Sequence, residues 1–368
     1  MVVSGEIETP VVPASTMTQV TFLNKTGRVD VLCEPGESLL QAGLRHGLEL
    51  PYACGAGVCG TCVARSKPNT VENLWPNAPG AAQLNAGKGE CLLCQGAALK
   101  DCEILVPAKI DLSRLSDQRP ARFEANLQDV KVVAPDVATF TVRLPETVRP
   151  ISGQYFLMRP KGMQGFRAYS MTNFDESTDA LHFVIKKVAG GVFSGKIFSG
   201  EPLDEPLDEP LEAFGPMGLA TFDPSDTRDL ICLVGGSGIA GIMSILAQAR
   251  RVDHFSRHRL FMVFGARRIE EFFFLDELAD LARTHPDHIQ IHLAVSEGEA
   301  AGGTSKDVRG LSVHHGFVHD VAKSLSRPGE FDGGLAFLGG PPPMLNSCLA
   351  LLLEAGLPVS DIRYDRFA

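Results

Sequence analysis

Three closely spaced cysteines constrain this chain more than any other stretch: Cys54, Cys59 and Cys62 in Cys54-Gly-Ala-Gly-Val-Cys59-Gly-Thr-Cys62. A fourth thiol lies downstream in Cys91-Leu-Leu-Cys94-Gln95. The spacing C-x4-C-x2-C followed by a distant cysteine is that of a plant-type [2Fe–2S] site. Two irons bridged by two sulfides need four thiolates, two to each iron. Glycines at 55, 57 and 60 let the loop wrap such a cluster and aim backbone N–H groups at the sulfurs, which tunes the potential. Two other readings compete. A disulfide framework sits badly with an odd total of 9 cysteines and with the absence of a secretion signal. Structural zinc favours paired C-x2-C knuckles, and only one such pair lies near the loop. On spacing alone the fourth ligand is Cys94 or Cys91.

The bulk numbers narrow the class. A length of 368 residues suggests two to four domains, and an apolar fraction of 44% allows sizeable cores. A formal charge of −10 argues against non-specific nucleic-acid binding. No apolar run has the length of a membrane span, and the N-terminus lacks a basic stretch followed by an apolar one. Thiolates kept as metal ligands fit a reducing compartment, so a cytoplasmic protein is expected. Cys33, Cys91, Cys102, Cys232 and Cys348 are scattered and read as small core residues.

Along the chain, residues 1–16 have no periodicity and read as a mobile leader. A first domain is expected over 17–107. It opens with alternations at Val20 and Phe22 and at Val29, Val31 and Cys33, separated by a turn at Asn24-Lys-Thr-Gly27. A helix from Glu37 to His46 stops at Gly47, and a last strand lies at Ile104-Leu-Val106. Residues 108–121 read as a polar linker. Over 122–224 short alternating strands, at Val137 to Val142, Tyr155 to Leu157 and Leu181 to Ile185, predict an antiparallel barrel. Three Glu-Pro-Leu units at 201–211 exclude helix and central strand and read as a surface insert. Over 225–368 strands alternate with helices. Strands are expected at 230–234, 260–264, 289–295 and 335–338, with helices at 239–250 and 275–283. This predicts an open, mostly parallel sheet. His314, His315 and His319 have no partner in register and read as surface or helix-end residues.

Four motifs suit two nucleotides. In Arg167-Ala168-Tyr169-Ser170 the arginine fork can grip a pyrophosphate, the tyrosine can stack on a ring and the serine can bond a ring nitrogen. Tyr169 and Ser170 are therefore the candidate catalytic residues. Gly190-Gly191-Val-Phe-Ser194 precedes a short helix whose free N–H groups suit a phosphate. Gly235-Gly236-Ser237-Gly238 sits between a strand and a helix, the context in which a glycine fingerprint binds a dinucleotide pyrophosphate. The next strand ends in Gly265-Ala-Arg267-Arg268, without the acid that holds a ribose in the ordinary fingerprint. Gly339-Gly340-Pro341-Pro-Pro-Met344 again joins a strand to a helix.

With these motifs in this order, the chain resembles the reductase components of bacterial aromatic-ring oxygenases, notably those of xylene monooxygenase and terephthalate dioxygenase. The resemblance spans residues 18–367. It implies a multidomain α+β and α/β fold: a β-grasp ferredoxin, a Greek-key FAD barrel and a ferredoxin-reductase-type NAD domain. Leu-Cys94-Gln after a long loop resembles the ferredoxin pattern and selects Cys94 as fourth ligand beside Cys54, Cys59 and Cys62. The resemblance gives Arg167, Ala168, Tyr169, Ser170, Gly190, Gly191 and Ser194 to FAD. It gives Gly235 to Gly238, Gly265, Arg267, Gly340, Pro341 and Met344 to the nicotinamide nucleotide. Related reductases often end in an aromatic ring, which implies that Phe367 covers the flavin. Two departures stand out: Gly339 replaces the family's Cys before Gly-Pro, and Ala240-Gly241 replaces its Ala-Pro. The implied activity is transfer of electrons from NAD(P)H through FAD and the cluster to a terminal oxygenase, Rieske or di-iron. A cytochrome P450 or a sugar-modifying dehydratase is an alternative partner, and a non-enzymatic redox sensor the rival class. Arg267 and Arg268 speak for NADPH, whereas Gly-Ala-Arg is similar to NADH-using members; NADH is the expected coenzyme.

Overall fold

The computed structural model describes residues 17–107, 111–112, 114–198, 211–297 and 306–367. The leader at 1–16 and all but the last residue of the Glu-Pro-Leu stretch lie outside them. The chain divides into two units, Met1–Pro51 with Cys62–Arg119, and Tyr52–Thr61 with Pro120–Ala368.

In the first unit, β1 (Thr18–Leu23) and β2 (Arg28–Cys33) form the expected hairpin, with Asn24 Oδ1 accepting the Thr26 and Gly27 N–H groups in the turn. Helix α1 (Leu39–Arg45) is shorter than its pattern suggested because a capping box fixes its start: Ser38 Oγ accepts from the Gln41 N–H, and Gln41 Oε1 accepts from the Ser38 N–H. Then follow β3 (Val63–Ser66), β4 (Val71–Asn73), β5 (Glu90–Leu92), β6 (Gly96–Ala98) and β7 (Cys102–Leu105). The sheet runs β2-β1-β7-β3-β5, with β1 and β7 parallel and the other neighbours antiparallel. Val20, Phe22, Leu39, Leu40, Ala42 and Ile104 are fully buried between sheet and helix, a β-grasp arrangement. The polar stretch after residue 107 returns to this unit. Leu112 is buried, Leu115 bridges to Leu48, and the Ser116 N–H donates to Gly47 O.

In the second unit, β8 (Ala121–Ala134) and β9 (Val137–Val148) are much longer than the short strands their alternation suggested. They pair with each other through register shifts. With β10 (Tyr155–Pro160), β11 (Arg167–Ser170), β12 (Thr178–Lys186) and, after α2 (Val192–Ile197), β13 (Leu211–Met217), they make an antiparallel sheet ordered β11-β10-β13-β8-β9-β12. Met171 bridges to Phe183 and the Thr172 N–H donates to His182 O, which brings the two edge strands together and closes the barrel.

The remaining elements are β14 (Leu230–Gly235), α3 (Ala240–Arg251), β15 (Leu260–Ala266), α4 (Leu275–Thr284), β16 (Ile289–Val295), β17 (Lys306–Val308), β18 (Leu311–His315), α5 (Val318–Leu325), β19 (Leu335–Gly339), α6 (Pro342–Glu354) and β20 (Ile362–Arg363). The sheet order is β17-β18-β16-β15-β14-β19-β20, parallel except for β17 against β18. All six residues of β14 are buried, as a strand covered on both faces requires. Barrel and sheet share a core, in which Val137, Val184 and Phe222 pack with Leu230, Val234 and Ile245. Buried polar contacts stitch them further: Ser152 Oγ donates to Gln248 Oε1 at 2.5 Å and the Gly153 N–H to Ser244 Oγ at 2.8 Å. His314 bonds His292 across the strands, 3.2 Å apart. Among the described residues no helix is long and apolar enough to cross a membrane.

Replacing Ser38 by Ala removes one half of the α1 capping box and is expected to cost about 1 kcal/mol. Exchange of the α1 amides should quicken about fivefold; unchanged protection would show that tertiary packing alone holds the helix start.

Candidate functional site

The loop Tyr52–Thr61 belongs to the second unit. Gly55, Gly57 and Gly60 have φ of 62°, 83° and 73°, a left-handed conformation that lets three turns follow within six residues. As a result the N–H groups of Ala56, Val58 and Cys59 all point at Cys54 Sγ, each at 3.4 Å. A hydrogen bond from the Cys54 thiol holds Cys59 low, at about 4, and pushes Cys54 up. Two tyrosines anchor the loop. Tyr155 Oη donates to Ala53 O at 2.6 Å, and the Gly218 N–H donates to Tyr52 Oη at 3.2 Å.

In the first unit, Cys62 and Cys94 are buried with their sulfurs 3.3 Å apart. That is far beyond the roughly 2.05 Å of a disulfide, and no cysteine is disulfide-bonded. Gln95 Nε2 lies 3.6 Å from Cys94 Sγ. Cys91 sits on β5 opposite Ala64 and bonds the Ser66 side chain; burial pushes its thiol up to about 11. Among the described residues no three Cys, His, Asp or Glu side chains converge as a single-metal site requires. The thiols stand instead as pairs, Cys54 with Cys59 in the second unit and Cys62 with Cys94 in the first.

On the barrel, β11 pairs with β10 so that Ala168 faces Leu157, Tyr169 faces Phe156 and Ser170 faces Tyr155. Arg167 Nη1 donates to Phe166 O at 3.0 Å. The Tyr169 ring is wedged edge-on against Phe140 and Phe193, with centroids at 6.0 and 5.4 Å, and burial pushes its hydroxyl well up. Gly190 and Gly191 lead into α2 as expected. Ser194 is buried, and its hydroxyl accepts the Val188 N–H at 3.1 Å, so it closes this loop on itself.

On the sheet, the carboxyl ends of β14 and β15 align at Gly235 and Gly265, while Gly339, the last residue of β19, pairs with Val234, one residue short of that level. Gly236, Ser237 and Gly238 form a single turn that runs into α3. Met344 lies where side chains on Gly235 and Gly340 would lie, and Pro341 caps α6. Val318 of α5 takes the corresponding place at Gly265, so that glycine serves packing. Arg267 and Arg268 both pair with Glu271, at 3.3 and 3.5 Å. Ser170 lies against the start of α3, its Cβ being in van der Waals range of any Cβ placed on Gly241. Phe367 meets Tyr155 edge-on, with ring centroids 5.0 Å apart. Asp365 accepts the Leu219 N–H at 3.3 Å, and burial raises its carboxyl to about 7. The sequence marked none of Tyr52, Tyr155, Glu271 and Asp365; Tyr52, Tyr155 and Asp365 act through partners far along the chain.

A backbone contact between Gly238 and Gly339 leaves room only for glycine at both positions. A Cβ on Gly339 would overlap Gly238 O, and one on Gly238 would overlap the Gly339–Gly340 peptide. Gly339→Cys is therefore expected to lower the melting temperature of the second unit by several degrees. An unchanged melting temperature would show that the two turns can separate at little cost.

Three family models match in order: a 2Fe-2S iron-sulfur cluster binding domain over residues 23–99, an oxidoreductase FAD-binding domain over 124–221 and an oxidoreductase NAD-binding domain over 231–349. The ferredoxin–NAD(P)+ reductase CarAd of Metapseudomonas resinovorans is 30% identical over 350 residues, which cover 93% of this chain and 98% of that protein. Terephthalate 1,2-dioxygenase reductase component 2 of Comamonas sp. is 28% identical, covering 91% of this chain and 94% of its own length. The structure of the ferredoxin reductase in carbazole 1,9a-dioxygenase superposes with a TM-score of 0.77 at 28% identity, covering 96% of this chain and 99% of that one. The chain thus belongs to the ferredoxin–NAD(P)+ reductases built from iron–sulfur, FAD and NAD modules that serve as reductase components of oxygenase systems.

Proposed function

We propose that this chain takes a hydride from NADH and delivers the electrons, one at a time, to the oxygenase component of a cytoplasmic system. Its family makes it an NAD(P)H-dependent flavin iron–sulfur reductase. The observation that carries the finer reading is the position of Ser170. It lies against the start of α3 on one side and pairs with Tyr155, the anchor of the Cys54 loop, on the other. The lack of disulfides among the 9 cysteines supports a reducing compartment. The naming of relatives such as the terephthalate dioxygenase reductase supports an oxygenase as acceptor.

The residues divide the work. Arg167 with the Gly190-Gly191 turn would hold the flavin pyrophosphate, and Tyr169 and Ser170 would hold its ring system. Phe367, resting on Tyr155, would shield a bound flavin from solvent. Gly235 to Gly238 with Pro341 and Met344 receive the pyrophosphate and nicotinamide of the coenzyme. FAD, when bound, accepts two electrons as a hydride, whereas a [2Fe–2S] cluster takes single electrons, and the protein's share is orientation and tuning. Cys54, Cys59, Cys62 and Cys94 would hold the cluster. The N–H groups aimed at Cys54 Sγ stabilise its thiolate form and adjust the potential.

Two variants of the holoenzyme test the reading. Cys94→Ser should lose the EPR signal of the reduced cluster while NADH still bleaches the flavin, and Cys91→Ser should keep both. Loss of the signal in Cys91→Ser would reassign the fourth ligand. Failure of NADH to bleach the flavin of the unaltered protein would remove the proposed function.

A further inference from the structure

We infer that Glu271 sets the coenzyme preference, by occupying the two arginines that would otherwise grip a 2′-phosphate. The inference rests on reading β14 and β15 as the strands that receive the nicotinamide nucleotide. In such a sheet the end of the second strand meets the adenosine ribose: an acid there bonds the free hydroxyl, or an arginine accommodates the phosphate. Here Arg267 and Arg268 occupy that end, with no acid among them. The backbone beneath them is fixed, since Ser296 N–H donates to Ala266 O at 3.1 Å and Glu297 N–H to Arg267 O at 2.8 Å. Taken alone, the arginines make an NADPH site.

Glu271 changes that conclusion. Its carboxylate is only 13% exposed, whereas the guanidiniums of Arg267 and Arg268 are 51% and 55% exposed. Arg267 meets it with two nitrogens, at 3.3 and 3.4 Å; Arg268 Nε lies at 3.5 Å and Lys186 Nζ, from β12, at 3.3 Å. Burial by itself would raise its pKa, but Lys186 and Arg267 outweigh burial and hold it below the usual carboxylate range, so it is ionised at neutral pH. Glu270 also lies near Arg268, at 3.6 Å, but is 61% exposed and solvated.

A 2′-phosphate could recruit Arg267 and Arg268 only by drawing them off Glu271. That would leave a sheltered carboxylate with Lys186 alone, facing a new anion of the same sign. Removing partners from a buried charge is costly. A ribose hydroxyl makes no such demand, because it can accept from a guanidinium that stays paired. Glu271 thus discriminates against NADPH by the charge it neutralises, without touching the coenzyme.

The test compares the unaltered holoenzyme with Glu271→Gln, which keeps the shape and removes the charge. The kcat/KM for NADH and NADPH is measured for each, with calorimetric affinities for 2′,5′-ADP and 5′-AMP as a readout independent of turnover. In Glu271→Gln the NADPH to NADH ratio should rise roughly tenfold or more. Affinity for 2′,5′-ADP should tighten by a similar factor and weaken with salt, while that for 5′-AMP stays level. The gain should vanish in Glu271→Gln with Arg267→Ala and Arg268→Ala. An unchanged ratio in Glu271→Gln, or a gain that survives loss of the arginines, would overturn the inference. Should Glu271→Gln not fold, the unaltered protein still decides: tenfold tighter binding of 2′,5′-ADP than of 5′-AMP would show the arginines already free. An unaltered enzyme that prefers NADPH would instead overturn the NADH reading.

Discussion

The hydrogen bond from Tyr155 to the Ala53 carbonyl is the contact on which the redox arrangement depends. Tyr155 is fully buried, and its hydroxyl, deprived of a partner, would cost about 1–3 kcal/mol. Its main chain pairs with Ser170 on β11, so one strand residue serves the loop carrying Cys54 and the strand assigned to the flavin. The Gly218 N–H to Tyr52 adds a second tie, and Leu157 and Met217 fill the space a side chain on Gly55 would need. A loop with glycines at three left-handed positions has little rigidity of its own. Its geometry comes from being held.

The nucleotide half follows the same logic with backbone in place of side chains. The turn after β14 and the turn after β19 approach until no Cβ fits between Gly238 and Gly339. This contact brings the glycine turn, Pro341 and Met344 to one edge of the sheet, where parallel strands leave a crevice at their carboxyl ends. Ser152, Ser244 and Gln248 then join barrel and sheet into one unit through bonds that neither module could satisfy alone.

What the sequence made legible was what is local or chemically obligatory. Cluster thiols must follow a fixed spacing, and a strand followed at once by glycines and a helix has few uses, so Cys54 to Cys62 and Gly235 to Gly241 could be read directly. The hairpin and the parallel strands were legible from periodicity. The capping box at Ser38 starts α1 at Leu39, two residues after the Glu37 that the pattern suggests. The barrel strands were underestimated because β8 and β9 carry register shifts that interrupt alternation without ending pairing. β18 and α5 escaped because their apolar positions are few and short. The ties made by Tyr155 and Gln248, and the pairing of Glu271 with Lys186, join residues 102, 96 and 85 positions apart, a separation at which no local pattern survives. Ser194 was legible as part of a glycine-led loop, but its inward hydroxyl was not.

The central claim is that one chain accepts a hydride and releases its electrons singly through its own cluster. An anaerobic NADH titration of protein loaded with FAD and iron–sulfur cluster, followed by flavin absorbance and low-temperature EPR, tests it directly. The account predicts that flavin bleaching is accompanied by a reduced-cluster signal integrating in proportion to chain concentration. A bleached flavin with no cluster signal, in protein shown to contain both, would contradict it.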